Sequence, residues 1–194
     1  MGKVVIIEFL TVDGVMQGLG SPQEDTDGGF THGGWGAPYA DSIPQVMGAD
    51  GLDATTAYLF GRRTYEKMAE FWPHQGQDNP IAAHMNSTPK YVASTTMTEA
   101  AWSGTTILAG DVSASVAELK ATTRGDIAVL GSGVLSRHFL RHDLVDQMRL
   151  FLHPLLLGTG KRLFTDLPEP RRLALTSVAN TDQGTVALVY DVLS

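Results

Sequence analysis

The chain has 194 residues, a net charge of −7 and no cysteine. The absence of cysteine excludes disulfides, zinc sites built on cysteine, iron–sulfur clusters and a thiol nucleophile. Nucleic-acid-binding proteins usually carry a basic stripe, which this acidic chain lacks, so we expect no nucleic-acid partner. The sequence shows neither a targeting segment nor an apolar run long enough to span a membrane. We therefore expect a cytoplasmic protein that forms one domain, residues 1–194, with no membrane partner.

Short runs of β-branched and apolar residues predict most of the strands. In chain order, these strands are residues 3–10, 54–60, 90–93, 106–108, 126–130 and 148–152. Two further strands, 172–179 and 185–192, are joined near Gly184 and are typical of a hairpin. Residues 13–36 form a glycine-rich loop, and a loop of this length in a compact domain is usually functional or mobile.

Helices are expected between the strands, because their segments carry helix-start signals. They cover residues 38–50, a segment starting at Arg62 with Thr64 as its N-cap, residues 113–121 with Ser113 as N-cap, and a segment from the turn at 131–133 to about Arg141. Pro73 and Pro80 bracket a loop. The alternation of strands and helices predicts an α/β fold with a mixed, mainly parallel central sheet, flanking helices and an antiparallel C-terminal hairpin.

Three predicted strand ends carry groups that suit a phosphate. At Gly131-Ser132-Gly133, backbone N–H groups and a helix start can approach an anion, although a plain tight turn is the alternative. Gly61-Arg62-Arg63-Thr64 adds two guanidinium groups and a hydroxyl, with an ordinary solvated basic pair as the alternative. Ser94 and Thr95 follow a third strand. Since ligands bind at strand ends in open α/β sheets, the three together indicate a phosphate-bearing ligand.

Histidines offer two weaker hypotheses. His138 and His142 have the i, i+4 spacing of half a zinc-binding helix, but no third ligand is evident, and exposed helix histidines are the alternative. We expect no bound metal. In the glycine-rich loop, His32 and Trp35 could form a stacking lid over a flat heterocycle. The alternative is a surface loop whose tryptophan covers the core.

Several segments, spread over nearly the whole chain, together carry a family resemblance. They are Thr11–Gln17, Leu59–Glu66, Val92–Ser94, Ala128–Leu135, Leu144–Gln147 and Pro154–Phe164. In combination they resemble the dihydrofolate reductase-like proteins related to the C-terminal reductase domain of bifunctional riboflavin biosynthesis enzymes. The family usually has two adjacent glycines where this chain has Gly131-Ser132.

The resemblance implies a dihydrofolate reductase-like sheet with NADPH laid across its strand ends. By position, Arg62, Arg63 and Thr64 would meet the adenosine 2′-phosphate and the pyrophosphate, and Met16 and Gln17 would flank the nicotinamide. The remaining cofactor contacts are expected at Gly61, Ser94, Thr95, Gly131, Ser132, Gly133, Val134 and Leu135.

The resulting hypothesis is an NADPH-dependent reductase that transfers hydride to a small flat heterocycle, pterin- or pyrimidine-like, with Trp35 in the substrate pocket. Asp41 and His32 are the candidate proton donors. One alternative is a non-catalytic nucleotide-binding protein on the same fold, and another is a metal-dependent hydrolase that uses His138 and His142. A homodimer is expected from the resemblance and from the apolar C-terminal strands.

Overall fold

The computed structural model describes residues 1–47, 49–76 and 78–193. Its strands are β1 (Lys3–Thr11), β2 (Thr55–Gly61), β3 (Lys90–Ala93), β4 (Thr105–Leu108), β5 (Asp126–Leu130), β6 (Gln147–His153), β7 (Leu173–Asn180) and β8 (Val186–Val192). Its α-helices are α1 (Pro44–Met47), α2 (Ala49–Ala54), α3 (Arg62–Phe71), α4 (Pro80–Ser87), α5 (Val112–Thr122) and α6 (Gly133–Arg141). Within the described part of the chain, the strands form one sheet in the order β4-β3-β2-β5-β1-β6-β8-β7. This mixed sheet confirms the predicted fold class.

The chain divides into two compact units. The first comprises Met1–Val5 and Ala49–Val145, and the second comprises Ile6–Gly48 and Asp146–Ser194. That the two behave as one domain over residues 1–194 stays a prediction. Nowhere in the described ranges does a helix combine the length and the apolar composition that crossing a bilayer requires.

The first unit contains the parallel part of the sheet. Strand β2 pairs in parallel with β3 on one side and with β5 on the other, and β3 pairs in parallel with β4. Its central strands are almost continuously buried, as is usual for parallel strands covered on both faces. Parallel neighbours need long crossover connections. Helices α3 and α4 lie between β2 and β3, and α5 lies between β4 and β5, whereas the connection from β3 to β4 contains no helix. The carboxyl ends of β2, β3 and β5 consequently share one edge of the sheet.

The second unit contains the antiparallel part. Strand β8 pairs with β6 and with β7, so that β7 and β8 form the predicted C-terminal hairpin and β7 lies at the edge. Phe9 and Phe151 stack with ring centroids 4.7 Å apart. Beside them, Val15, Phe30 and Trp35 form a buried cluster inside the glycine-rich loop. That loop therefore has an apolar core of its own.

One helix prediction was wrong in extent, and one helix was not predicted. The single helix expected over 38–50 is a 3-10 helix, Ala37–Ser42, followed by the short helices α1 and α2, while residue 48 lies outside the described residues. Pro44 lacks an N–H donor and begins a new helix instead of continuing the earlier one. Pro73, expected to begin a loop that ends at Pro80, lies inside another 3-10 helix, Trp72–His74, while residue 77 lies outside the described residues. Helix α4, which was not predicted, begins at Pro80. There the side chain of Asn79 accepts hydrogen bonds from the N–H groups of the first turn.

Two predicted N-caps were also wrong. Helix α3 begins at Arg62 with Gly61 as its N-cap, so Thr64 lies inside the first turn. Helix α5 is capped by Asp111, whose carboxylate accepts from the N–H groups of Ser113 and Ala114 at 2.9 and 3.3 Å. Ser113 lies one residue inside the helix, where its hydroxyl is free to contact His138 at 2.8 Å.

A buried lysine fixes the end of helix α4 against strand β3. The Lys90 side chain is 1% exposed and donates to the carbonyls of Met85, Asn86 and Thr88 at 2.9, 3.2 and 2.8 Å. Its ammonium group also lies 4.7 Å from the ring centroid of Trp102. Burial lowers the pKa of Lys90, but these partners accept all three of its N–H groups. Lys90 thus satisfies carbonyls that the helix end leaves open.

Replacing Lys90 with methionine keeps the length of the side chain and removes its donors. We expect Lys90→Met to lower the free energy of unfolding by about 3 kcal/mol, because three buried carbonyls lose charge-assisted hydrogen bonds. The matched control is Lys67→Met, on a lysine whose side chain is 54% exposed, which should cost less than about 0.5 kcal/mol. Urea unfolding measures both values, and equal effects would contradict the role assigned to Lys90.

Candidate functional site

Two helix N-termini meet in the first unit. Helix α3 starts directly after β2, and helix α6 starts two residues beyond β5, the parallel neighbour of β2. The backbone N–H of Gly61 donates to Ser132 Oγ at 3.0 Å. A Cβ atom on Gly131 would lie 3.4 Å from Thr64 Cγ2. The turns before the two helices are therefore in direct contact.

Neither of these helices has a side-chain cap. Gly61 has no side chain to offer, and Ser132, the N-cap of α6, makes no capping hydrogen bond. Helices α4 and α5 differ, since Asn79 and Asp111 cap them. First-turn N–H groups have no partner within a helix, and the helix dipole adds partial positive charge at the same place. The paired ends of α3 and α6 thus have the chemistry of an anion site.

Ser132 occupies a backbone conformation that favours glycine. Its φ and ψ are 59° and 45°, and Gly131 before it has a φ of 56°. The Ser132 hydroxyl explains why a serine is tolerated, since it accepts from Gly61 N–H and donates to the Leu130 carbonyl at 3.1 Å. Ser136 Oγ donates to the Gly131 carbonyl at 3.1 Å. The departure from two adjacent glycines therefore serves to join the two strand ends.

The charged and hydroxyl residues predicted for this site lie at the same sheet edge. Arg62 is half-exposed and pairs with Glu66 one turn along α3, with Nη1 and Oε1 2.8 Å apart. Ala93 of β3 is level with Gly61 of β2, so Ser94 follows at the same edge. Ser94 Oγ accepts from the N–H of Met97 at 3.0 Å and so orders the loop that carries the exposed Thr95.

Gly133, Val134 and Leu135 form the first turn of helix α6. Val134 is 78% exposed, whereas Gly133 and Leu135 are buried. Only Val134 of these three presents its side chain to solvent at the helix start. The predicted contacts of Gly133 and Leu135 would come from the backbone.

In the second unit, Asp13 organises the segment that follows β6. Its carboxylate accepts from Thr11 Oγ1 at 2.6 Å and from the N–H groups of Leu157 and Gly158 at 3.2 and 2.9 Å. It also pairs with Arg162 at 3.3 Å. The Thr11 hydrogen bond is the main cause that lowers the pKa of Asp13 to about 2, with smaller contributions from the two backbone donors. Asp13 is therefore a structural carboxylate.

Gln17 likewise has a structural role, because its side-chain amide makes several hydrogen bonds inside the glycine-rich loop. Its side-chain amide donates to the Asp25 carboxylate and to the carbonyls of Asp25 and Asp27 at 3.0–3.1 Å, and its Oε1 accepts from Lys161 N–H at 3.0 Å. The Lys161 ammonium lies 2.6 Å from Asp25 and 2.9 Å from Asp27. Met16 N–H donates to the Lys161 carbonyl. The sequence analysis missed this network, and it leaves the Gln17 side chain engaged within the loop.

The residues predicted for the substrate side differ in exposure. Trp35 is 7% exposed and donates from Nε1 to the Gln17 carbonyl at 2.7 Å, so most of its indole is packed in the loop's own cluster. His32 and Asp41 are exposed, and the His32 ring meets Phe30 edge to face. The structure therefore places both candidate proton donors at the surface of this unit.

Another histidine, His153, is buried between aromatic rings. It is 1% exposed and contacts Trp35 and Tyr39 edge to face at centroid distances of 5.3 and 5.0 Å. Burial lowers the pKa of His153, against a smaller opposing effect from the carbonyls of Leu10 and Phe151. The neutral imidazole is thus the form that suits this position.

The histidine pair on α6 stacks with ring centroids 4.2 Å apart. Burial and the neighbouring His142 lower the pKa of His138, whose Nε2 contacts Ser113. Across the part of the chain that the structure describes, no group of three or more His, Asp or Glu side chains could hold a metal ion. The metal-dependent alternative therefore gains no further ligand from the described residues.

The sheet order and the C-terminal hairpin define the dihydrofolate reductase-like fold. The sequence model of one family, described as the RibD C-terminal domain, matches residues 3–187, and the chain belongs to that family. It is a reductase family, which supports an oxidoreductase activity.

Individual proteins are similar to this chain in sequence or in fold. An uncharacterised protein of Bacillus subtilis, YyaP, is 26% identical over 97% of this chain and 94% of its own length. A structure from Shewanella sp. PV-4, provisionally named a riboflavin biosynthesis protein, superposes with a TM-score of 0.72 at 20% identity and covers 99% of both chains. A pyrimidine reductase-like protein from Corynebacterium diphtheriae gives 0.60 at 13% identity, covering 100% of this chain and 92% of its own. Acinetobacter baumannii RibD superposes with a TM-score of 0.59 at 16% identity, covering 100% of this chain and 59% of its own chain.

Because Ser132 has a left-handed backbone conformation, glycine should stabilise the fold more than alanine at this position, which reverses their usual ranking. Ser132→Ala loses both hydroxyl bonds and keeps the strain, whereas Ser132→Gly loses the bonds and relieves about 1 kcal/mol of strain. We expect the glycine variant to be about 1 kcal/mol more stable than the alanine variant. Thermal or urea unfolding of both proteins tests this, and an alanine variant that is equally or more stable would show that the strain is not there.

Replacing Asp13 with asparagine removes the negative charge and keeps one acceptor. Near neutral pH we expect Asp13→Asn to cost about 1–3 kcal/mol of unfolding free energy. Since the folded pKa of Asp13 is about 2 against an ordinary 3.8, the carboxylate's contribution is complete above about pH 4 and is lost as the pH falls towards 2. Urea unfolding of both proteins over this pH range should show the gap narrowing, and a gap that stays constant would contradict the assignment.

Proposed function

We propose that this chain is an NADPH-dependent reductase that transfers hydride to a small flat heterocycle, pterin- or pyrimidine-like. One observation carries the proposal: the N-termini of α3 and α6 are in contact, and neither has a side-chain cap. A pyrophosphate is the natural acceptor for paired N–H donors that also carry the positive ends of two helix dipoles. The membership in a reductase family supports a redox cofactor for this place.

The residues present fit the phosphates of such a cofactor. The backbone at Gly61 and Gly131 has no side chains that would fill the approach, and the nearest atoms to a Cβ on Gly61 lie 3.7 Å away. Arg62 and Arg63 add positive charge at the first turn of α3. Adjacent helix residues diverge, so the two arginines would contact different phosphates. The family resemblance assigns Arg62 to the adenosine 2′-phosphate and Arg63 to the pyrophosphate. Thr64, Ser94 and Thr95 would supply hydroxyl groups.

The role of the arginines follows from the charge of the whole chain. A net charge of −7 repels a phosphate-bearing ligand at long range, so local cations have to overcome that field. Bound NADPH supplies the hydride, while the chain binds and orients it. The assignments of Met16 and Gln17 to the nicotinamide, and of Trp35 to the substrate, stay predictions.

The proton donor stays open between Asp41 and His32. Both side chains are exposed to solvent. This observation favours the second candidate, a nucleotide-binding protein on the same fold without catalysis. Oxidation of NADPH followed against panels of pterins, pyrimidinones and quinones separates the two candidates. Turnover with any of them supports the reductase, and tight NADPH binding without turnover supports the binding protein.

A homodimer and a cytoplasmic location also stay proposals. Support for a dimer comes from strand β7, which lies at the sheet edge and exposes Leu175 and Val178 by 53% and 60%. Unpaired edge strands with apolar side chains commonly associate. Light scattering at micromolar concentration distinguishes a dimer from a monomer of 20.8 kDa.

Substitution of the two arginines tests the assignment of the phosphates. Arg62→Ala should weaken NADPH binding by roughly 10- to 150-fold and leave NADH almost unchanged, because a charge-assisted contact of about 1.5–3 kcal/mol is lost only where the 2′-phosphate is present. Arg63→Ala should weaken both cofactors. Dissociation constants from fluorescence titration decide this.

Lys67→Ala is the matched control, since it removes one positive charge from the same helix without touching either phosphate in this assignment. It should change both dissociation constants less than about twofold. An Arg62→Ala protein that loses NADPH and NADH affinity equally would show that the 2′-phosphate has been given to the wrong arginine.

A further inference from the structure

We propose that Glu66 sets how strongly this chain prefers NADPH over NADH. The inference rests on the proposed function, because it concerns the arginine assigned there to the 2′-phosphate. Glu66 lies one turn after Arg62 on helix α3, and its Oε1 is 2.8 Å from Arg62 Nη1. The pair is held by a single hydrogen bond and both side chains are about half exposed, at 44% and 43%.

Glu66 acts against a 2′-phosphate in two ways. It occupies one of the guanidinium N–H groups that the phosphate would use, so the pair has to open before a bidentate contact forms. Once displaced, the carboxylate remains within one helical turn of a group with nearly two negative charges, and it repels that group. An exposed i, i+4 pair is weak, so the arginine can still be recruited. Glu66 therefore weakens NADPH binding without preventing it.

The same carboxylate does not act against NADH. In place of the 2′-phosphate NADH carries a 2′-hydroxyl, which is a hydrogen-bond donor that an acidic side chain accepts well. The Arg62–Glu66 pair thus offers a cation to NADPH and a hydrogen-bond acceptor to NADH. A single ion pair at the start of α3 would therefore reduce the discrimination that Arg62 alone would give.

The next ion pair on the same helix provides a matched control. Lys67 Nζ lies 3.6 Å from Glu70 Oε2, with side chains 54% and 73% exposed. Glu70→Gln removes the same charge from the same helix as Glu66→Gln, but it does not release Arg62. Both substitutions preserve side-chain size at exposed positions, so both variants should fold, which circular dichroism and thermal unfolding verify.

The experiment measures dissociation constants of NADPH, NADH, 2′-AMP and 5′-AMP for the wild type and the variants. Glu66→Gln should tighten NADPH and 2′-AMP by about 3- to 10-fold, from the removal of one like charge at roughly 6 Å in a solvated setting. NADH should be unchanged or weaker, and 5′-AMP should be unchanged. Glu70→Gln should change every constant less than about twofold. In an Arg62→Ala background, Glu66→Gln should lose most of its tightening effect on NADPH and 2′-AMP binding.

The outcomes separate this inference from the proposed function. If the wild type binds NADPH and Glu66→Gln shifts NADPH and NADH equally, or no more than Glu70→Gln does, the inference is wrong and the function stands. If the wild type binds neither dinucleotide nor 2′-AMP, both are wrong. A gain for 2′-phosphorylated ligands that needs Arg62 and fades at high salt supports the role of Glu66.

Discussion

The hydrogen bond from Gly61 N–H to Ser132 Oγ joins the ends of two parallel strands, and the candidate site depends on it. Leu59 of β2 is level with Val129 of β5, so the two strands reach the sheet edge together. Each then turns into a helix within a few residues. The Ser132 hydroxyl accepts from Gly61 N–H instead of from a first-turn N–H of α6, so α6 has no side-chain cap. One contact therefore fixes the spacing of the two helix ends and leaves their N–H groups available to an anion.

In the second unit, polar side chains hold a glycine-rich loop together. Asp13 accepts from the N–H groups of Leu157 and Gly158 after β6, and Gln17 accepts from the N–H of Lys161 while its amide donates within the loop. The Lys161 ammonium adds two ion pairs. Side chains committed in this way stabilise the loop. His32 and Asp41, the candidate proton donors, are both exposed. This contrast explains why the cofactor assignment is better supported than the proton donor.

Features that depend on local pattern were predictable from the sequence. The β-branched runs gave the strands, and their alternation with helical segments gave the mixed sheet. The turn at Gly131-Ser132 was visible as well. The N-cap predictions at Thr64 and Ser113 were wrong, because backbone geometry selects the N-cap and several suitable residues lie nearby. The burial of Trp35 and Gln17 depends on partners distant in sequence, such as Lys161, and no local signal reports such partners.

The central claim is that a phosphate-bearing dinucleotide binds at the paired N-termini of α3 and α6. Backbone amide chemical shifts recorded with and without NADPH test this most directly, since N–H groups that donate to phosphate shift strongly. The account predicts the largest changes in residues 61–64 and 131–135, reproduced in part by pyrophosphate alone. Saturable binding that leaves these amides unmoved and shifts others would contradict it.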